Sequence, residues 1–391
     1  MLNRRILRVK AMQALYSYFL AQGSIKKVVR EELESNYYPD PAKDDFADAD
    51  IFTARRKSAA RLYNEFLPLK KVVSSDVVDD DIAEKVQEHI TKYYVELEAE
   101  LRSIENTMLD DVANLETLYL KIVAFAVELS HLEREEKEKK DKAHIPKVSY
   151  WRYHFISNPV IDALTKFEAF NQALISHKAD WQSEIDTIRD WYKDIIKNDE
   201  ALIAYQKKET PTWADHKDAV VYVFKKLIFK NETIADFFSS LDLRWTENQP
   251  IIKSLVVKTI QDYDPEVEDS LSLKEISRNE DDDILFFKRL FKETIKREKD
   301  LDEIISKKTK NWDISRVAMT DLIILRMSLA EMITFHSIPV KVTINEFIEI
   351  SKNYSTPKSK QFINGILDVL SNQLTSEGVI KKSGRGLIDN K

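Results

Sequence analysis

Three arginines within the first eight residues, Arg4, Arg5 and Arg8, have the types and spacing in this chain that most directly suggest chemistry. On a helix, Arg4 and Arg8 stack one turn apart, and each guanidinium offers a fork of donors that suits a phosphate. They fall where a first helix begins, the end at which the macrodipole favours anions and disfavours cations. A bound anion relieves that arrangement, because free N–H groups and guanidinium forks both suit it, and the RNA backbone is one candidate. The competing reading is a loose terminus kept soluble by charge, and only the dipole argument separates the two.

Three further positions are ambiguous on their own. Phe362 lies on a helical pattern with Ile366 and Val369 and reads first as core, while Gly365 sits inside the same helix at a cost of about 1 kcal/mol relative to alanine. Close helix packing, or a nearby ligand, would explain a glycine there. Tyr16 and Asp321 read as a partly buried phenol and a helix-surface carboxylate, or as contacts to a partner protein.

Other chemistry lacks its residues. The chain has no cysteine, which excludes disulfides, thiolate zinc sites and a cysteine nucleophile and suits a reducing, cytoplasmic setting. Only five glycines occur, none of them between residues 24 and 364, so no phosphate-cradling or dinucleotide-binding loop exists there. The seven histidines are scattered without a His-Glu-x-x-His pair, and no Gly-x-Ser-x-Gly turn presents a serine. We therefore expect no catalytic residues, no metal and no cofactor, and read the many carboxylates as solvated helix faces.

The elements that must hold the arginines are helices. Apolar residues make up 43% and charged residues 32% of the 391 residues, and apolar positions recur every three or four residues, as in Leu97, Leu101, Ile104 and Met108. The fold class is all-α. No apolar run is long enough to cross a bilayer, and the N-terminus lacks the apolar core of a signal peptide. The net charge of −7 conceals a basic start: residues 1–30 contain no acidic residue, whereas residues 40–50 hold five aspartates. Docked on the basic first helix, that acidic stretch would be an autoinhibitory mimic of RNA.

The first helix is predicted to start after Asn3 and to end at Gly23 as its C′ residue. A second stretch runs over about 81–142 and ends in a charged, solvated segment from Glu133 to Lys140. Further helical patterns cover roughly 158–263, separated by Pro159, Pro211 and Pro250, and an acidic linker leads to a boundary near residue 283. Beyond it come a long helix to about Lys308, a helix capped by Asp313, and a helix over 344–353 opened by a Thr343-x-x-Glu346 capping box. A last helix opens at Thr356-Pro357.

The opening Arg4-Arg5-x-x-Arg8 followed by Ala11-Met12-Gln13-Ala14-Leu15-Tyr16-Ser17 resembles the first helix of the NusB family of transcription antitermination factors. Leu301-Asp302, Trp312, Leu325-Arg326, Glu331, Ile338-Pro339-Val340-Lys341-Val342, Ile344-Asn345-Glu346 and Phe362 through Asp368 follow in the family's order. The resemblance implies an all-α NusB-like domain at 1–24 and 284–375, split by a helical insertion with acidic linkers at 25–283. The tail at 376–391, whose Lys381-Lys382-Ser383-Gly384-Arg385-Gly386 run lacks apolar anchors, is expected to be flexible.

The same resemblance implies a non-enzymatic, cytoplasmic factor that binds boxA-type RNA with the ribosomal protein NusE in an RNA polymerase antitermination complex. Arg4, Arg5, Arg8, Lys358 and Phe362 match the family's RNA surface, with Ile6 in place of a frequent basic residue and Lys358 where an acidic one can occur. Phe362 then becomes a ring for stacking bases. Tyr16 and Asp321 match positions facing NusE, and Arg326 and Glu331 are expected to pair within the core. A protein-binding scaffold on a NusB frame that has lost RNA recognition is the alternative. A NusB-like module of an RNA methyltransferase ranks last, for want of glycine-rich turns.

Overall fold

The computed structural model describes residues 4–39, 49–73, 79–143, 151–274, 280–308 and 317–388. Asn3, Trp312, Asp313 and most of the acidic 40–50 stretch lie outside them. The regular elements among the described residues are all helical. They form two compact units, one from Arg4–Leu109 with Asp281–Lys391 and the other from Asp110–Glu280.

In the first unit, α1 (Arg4–Ser35) continues through Gly23, where the sequence predicted its end. Val29 and Leu33 are fully buried on its second half, which packs against α2 (Ala49–Phe66). Burying two such side chains contributes about 1.5–3 kcal/mol each, more than one helical glycine costs. The first part of α3 (Asp80–Lys142) completes this region with Val86 and Ile90 inside. Its apolar stripe runs on across residue 109, which is why sequence gives no boundary there and why 25–109 reads as insertion.

The later part of this unit holds α11 (Glu280–Lys296), α12 (Glu298–Lys308), α13 (Met319–Thr334), α14 (Val340–Tyr354) and α15 (Ser359–Ser376). The long helix expected to Lys308 breaks at Arg297 with neither glycine nor proline to announce it. Twelve of the sixteen residues of α13 are buried, so it is the central helix, and α1, α12, α14 and α15 pack around it. A helix buried all round must satisfy its polar side chains internally.

The chain after α15 does not trail away. Gly378, at φ +69°, ends the helix while Val379 and Ile380 donate their N–H groups back to the Leu374 carbonyl. Ile380 is buried and supplies the apolar anchor that the sequence reading missed. The Ser383 N–H donates to the His336 carbonyl at 3.0 Å and Lys382 Nζ to the Phe335 carbonyl at 3.0 Å. Gly386 lies so close that a Cβ there would sit 2.1 Å from the His336 oxygen. Residues 379–388 are thus a docked strap through Ile388.

The second unit takes the remainder of α3 together with α4 (Pro159–Lys166), α5 (Glu168–His177), α6 (Ile185–Asp194), α7 (Glu200–Lys207), α8 (Trp213–Tyr222), α9 (Glu232–Leu241) and α10 (Trp245–Gln261). Pro250 lies inside α10 and separates nothing. Trp181, Trp191, Phe237 and Phe238 cluster against Phe125 of α3, and the Trp181 indole donates to the Lys121 carbonyl at 2.8 Å. Glu133, expected on a solvated face, is completely buried. No helix of the described residues is long and apolar enough to cross a membrane.

Candidate nucleic-acid interface

The first two turns of α1 bring the three arginines against three different helices. Arg4 Nε donates to Asp283 Oδ1 of α11 at 3.0 Å, and its guanidinium lies 4.9 Å from the centre of the Phe286 ring. Arg5 grips Glu346 of α14 through Nε and Nη2 at 2.7 and 2.8 Å. Arg8 grips Glu331 of α13 in the same way, both bonds at 2.7 Å, and lies 5.2 Å over Phe286. The unfavourable sign of these charges at a helix start is therefore offset by carboxylates of the same chain.

Exposure divides the three. The Arg4 and Arg5 side chains are each 40% exposed, while Arg8 is 3% exposed and Glu331 is 0%. A phosphate can approach the first two. Direct contact with RNA, expected of Arg8, does not fit a guanidinium closed inside the domain; Arg8 acts instead as an internal strut. The Thr343-x-x-Glu346 capping box is likewise overturned, because α14 begins earlier, at Val340. Thr343 Oγ1 donates to Glu331 Oε1 at 2.8 Å and Glu346 faces Arg5, so tertiary ion pairing takes both side chains that the local motif would have used.

Arg326 and Glu331 are both paired within the core, though not with each other. Arg326 grips Asp302 of α12 at 2.7 and 2.6 Å, reaches Glu298 at 3.3 Å and covers the Phe19 ring at 4.5 Å. Burial raises the pKa of Glu298, with Arg326 opposing the shift. Lys382 of the strap is pushed down to about 8 by burial, a cost that nearby Glu331 reduces.

Asp321 is also interior rather than on the surface. It accepts from Ser359 Oγ at 2.7 Å and from the Ser355 hydroxyl, closing the loop between α14 and α15. Its placement explains a fixed loop and offers little to a partner. Tyr16, by contrast, is 43% exposed on the outer side of α1, with Leu20 one turn on at 53%.

Lys358 is exposed at the head of α15, Phe362 is half-buried one turn later, and Gly365 is exposed one turn beyond. Close packing does not account for this glycine, since a Cβ there would meet nothing within 4 Å. Gly365→Ala should therefore stabilise the domain by about 0.5–1 kcal/mol, seen as slower amide exchange in α15. Loss of stability instead would show that the backbone needs this position bare.

The sequence reading did not find Asp283, Phe286 or the arginine-holding role of Glu346. Asp283 fell in what read as a linker and Glu346 in what read as a cap. Carboxylates lying far along the chain announce no pairing with an N-terminal arginine.

The geometry defines an all-α domain whose opening helix is bolted by arginines to carboxylates on later helices. Residues 250–372 match the NusB family model, and the chain carries a NusB family domain. The chain is 46% identical over 103 residues to the transcription antitermination protein NusB of Salinibacter ruber, covering 26% of this chain and 64% of that protein. It is 45% identical over 104 residues to its counterpart in Chloroherpeton thalassium, covering 27% and 49%. With that of Natranaerobius thermophilus it shares 47% over 74 residues, covering 19% and 53%. The chain thus spans about half to two thirds of the length of these relatives. No solved structure matches it.

Proposed function

We propose that this chain is an RNA-binding transcription antitermination factor that holds boxA-type RNA together with the ribosomal protein NusE while ribosomal RNA is transcribed. The observation that carries the reading is the pair Arg4 and Arg5, partly exposed at the start of α1 and held in place by carboxylates from two other helices. Guanidinium groups fixed before binding lose less freedom when phosphate arrives. The relatives named for transcription antitermination support the same reading. Beside the arginines, Lys358 supplies a further cation and Phe362 a ring for base stacking, worth about 1–3 kcal/mol per base. Tyr16 is the better candidate of the two for the NusE contact. RNA polymerase in its antitermination complex is the wider partner and the cytoplasm the setting.

One observation favours the alternative of a protein-binding scaffold. Each of the three arginines already has a carboxylate, so none is left over by folding. Fluorescence anisotropy of a labelled boxA-like RNA separates the two readings. The comparison is between the wild type and an Arg4→Gln/Arg5→Gln variant, with and without NusE, at several salt concentrations. Glutamine is chosen because glutamate would face Asp283 and Glu346 directly. We expect binding that NusE strengthens, and a variant about tenfold weaker or more, with a salt slope smaller by about 0.7 for each phosphate no longer neutralised. Wild-type protein that ignores RNA while still binding NusE would establish the scaffold instead.

A further inference from the structure

The docked strap places basic residues beside the arginine-rich start through an unbroken run of packed side chains. Arg4 lies over Phe286, whose ring centre is 4.9 Å from that of Phe335. Arg289 lies 5.4 Å over the other ring of this pair, Phe335, and Lys382 and Ser383 of the strap bond the carbonyls of Phe335 and His336. From Arg4, the edge therefore passes along α11 to Arg289 and then to the strap, where Lys381 and Arg385 are exposed.

Two features bear on what these cations can bind. Exposed lysines and arginines elsewhere in the chain often face a carboxylate one turn away, as Lys27 faces Glu31 and Arg102 faces Glu98. Arg289, Lys381 and Arg385 have no carboxylate partner among the described residues. The strap is also held by bonds that leave no room for change, since Gly386 abuts the His336 carbonyl. A loose basic tail would pay an ordering cost on meeting a polyanion, and a docked one does not. Residues 377–388 carry Lys381, Lys382 and Arg385 against Glu377 alone.

We propose that the docked strap, with Arg289, is a second phosphate-binding segment that extends the RNA surface beyond Arg4, taking the sugar-phosphate backbone of single-stranded RNA that flanks the recognised element. The inference rests on the RNA-binding reading above. It assigns no base specificity to the strap, because cations on phosphate position a strand without reading it.

The test compares full-length wild type with a Lys381→Gln/Arg385→Gln variant, using the boxA-like RNA alone and the same RNA with uridine flanks on both sides. Both residues are exposed and make no side-chain bond, so protection of the Ser383 amide from exchange should match wild type. The wild type should bind the flanked RNA more tightly than the short one. The variant should lose that gain, with a salt slope smaller by about 1.4 for two phosphates left unneutralised, while binding the short RNA as wild type does. Equal affinity and slope for wild type and variant on the flanked RNA, with Arg4→Gln/Arg5→Gln impaired on both RNAs, overturns the strap and leaves the RNA reading standing. If the wild type binds neither RNA, the RNA reading falls and the strap falls with it.

Discussion

Glu331→Ala is expected to destabilise the NusB-like unit by about 3–5 kcal/mol, because it strands the Arg8 guanidinium without a partner inside the domain. Arg8 is 3% exposed and both of its bonds to Glu331 are 2.7 Å long. Glu346, 3.9 Å from Arg8 Nη1, is already gripped by Arg5 and cannot take over the bidentate role. Thr343 loses an acceptor as well, retaining only the longer bond to the Pro339 carbonyl. Exchange of the α13 amides should rise steeply, since this helix has no solvent face on which to survive alone. The double change Arg8→Met/Glu331→Leu should recover to within about 1 kcal/mol of wild type, because an apolar pair avoids the desolvation that a buried ion pair carries. A double variant as unstable as Glu331→Ala would mean that the pair has a net stabilising value of its own.

The same pair shows how far sequence reaches into the site. Arg8 and Glu331 were both visible as residues of interest, Arg8 as a phosphate ligand and Glu331 as a core charge with an unknown partner. Helical spacing places Arg4 and Arg8 on one side of α1, but it contains nothing about which later helix meets that side. Only the way α1 meets α11, α13 and α14 turns an expected anion site into one internal bridge and two partly exposed ion pairs. Asp321 fails for a related reason. Its neighbours Ser355 and Ser359 lie more than thirty residues on, and a lone Asp in a helix pattern has no local mark of burial.

The all-helical fold was legible because three- and four-residue spacing is a property of each helix by itself. The 81–142 stretch was read almost to its ends, as Asp80–Lys142. What failed were local stop signals that tertiary burial overrides. Gly23 sits within α1 because the helix beyond it is buried on α2, and Pro250 lies within α10. The strap failed in the opposite direction. A Lys-Lys-Ser-Gly-Arg-Gly run looks loose, yet Ile380 just before it and two hydrogen bonds to carbonyls just past the end of α13 hold it down.

Raising the pH from about 5 to 8.5 should weaken the 110–280 unit, and Glu133 is the reason. Both of its oxygens accept: Oε1 from Trp151 Nε1 at 3.0 Å and Gln206 Nε2 at 2.7 Å, and Oε2 from the Phe155 N–H at 2.9 Å. Such donors pull its pKa down, but burial outweighs them and pushes it up to about 8, with Glu136 nearby adding repulsion. No basic group pairs with Glu133 among the described residues. Lys140 and Lys197 are both taken by Glu136, and the remaining neighbours, Tyr153, Tyr192 and Tyr205, stay neutral in this range. A carboxyl whose folded pKa lies above its ordinary 4.5 binds a proton in the folded state that the unfolded chain has released. That contribution is complete below the unfolded value and is lost as the pH climbs through about 8, with a slope approaching about 1.4 kcal/mol per pH unit between the two. His154 and His216, held below their usual range by burial, act differently, since they add stability as the pH rises toward their ordinary value and nothing further above it. Trp151, Trp181, Trp191, Trp213 and Trp245 all lie in this unit, so urea unfolding followed by tryptophan fluorescence reports on it directly. Glu133→Gln should flatten the profile above pH 6 and also lower stability at pH 6, because its amide must turn N–H groups toward donors that need an acceptor. A wild-type profile that is flat, or that rises to pH 8.5, would mean that the donors around Glu133 hold it ionised despite its burial.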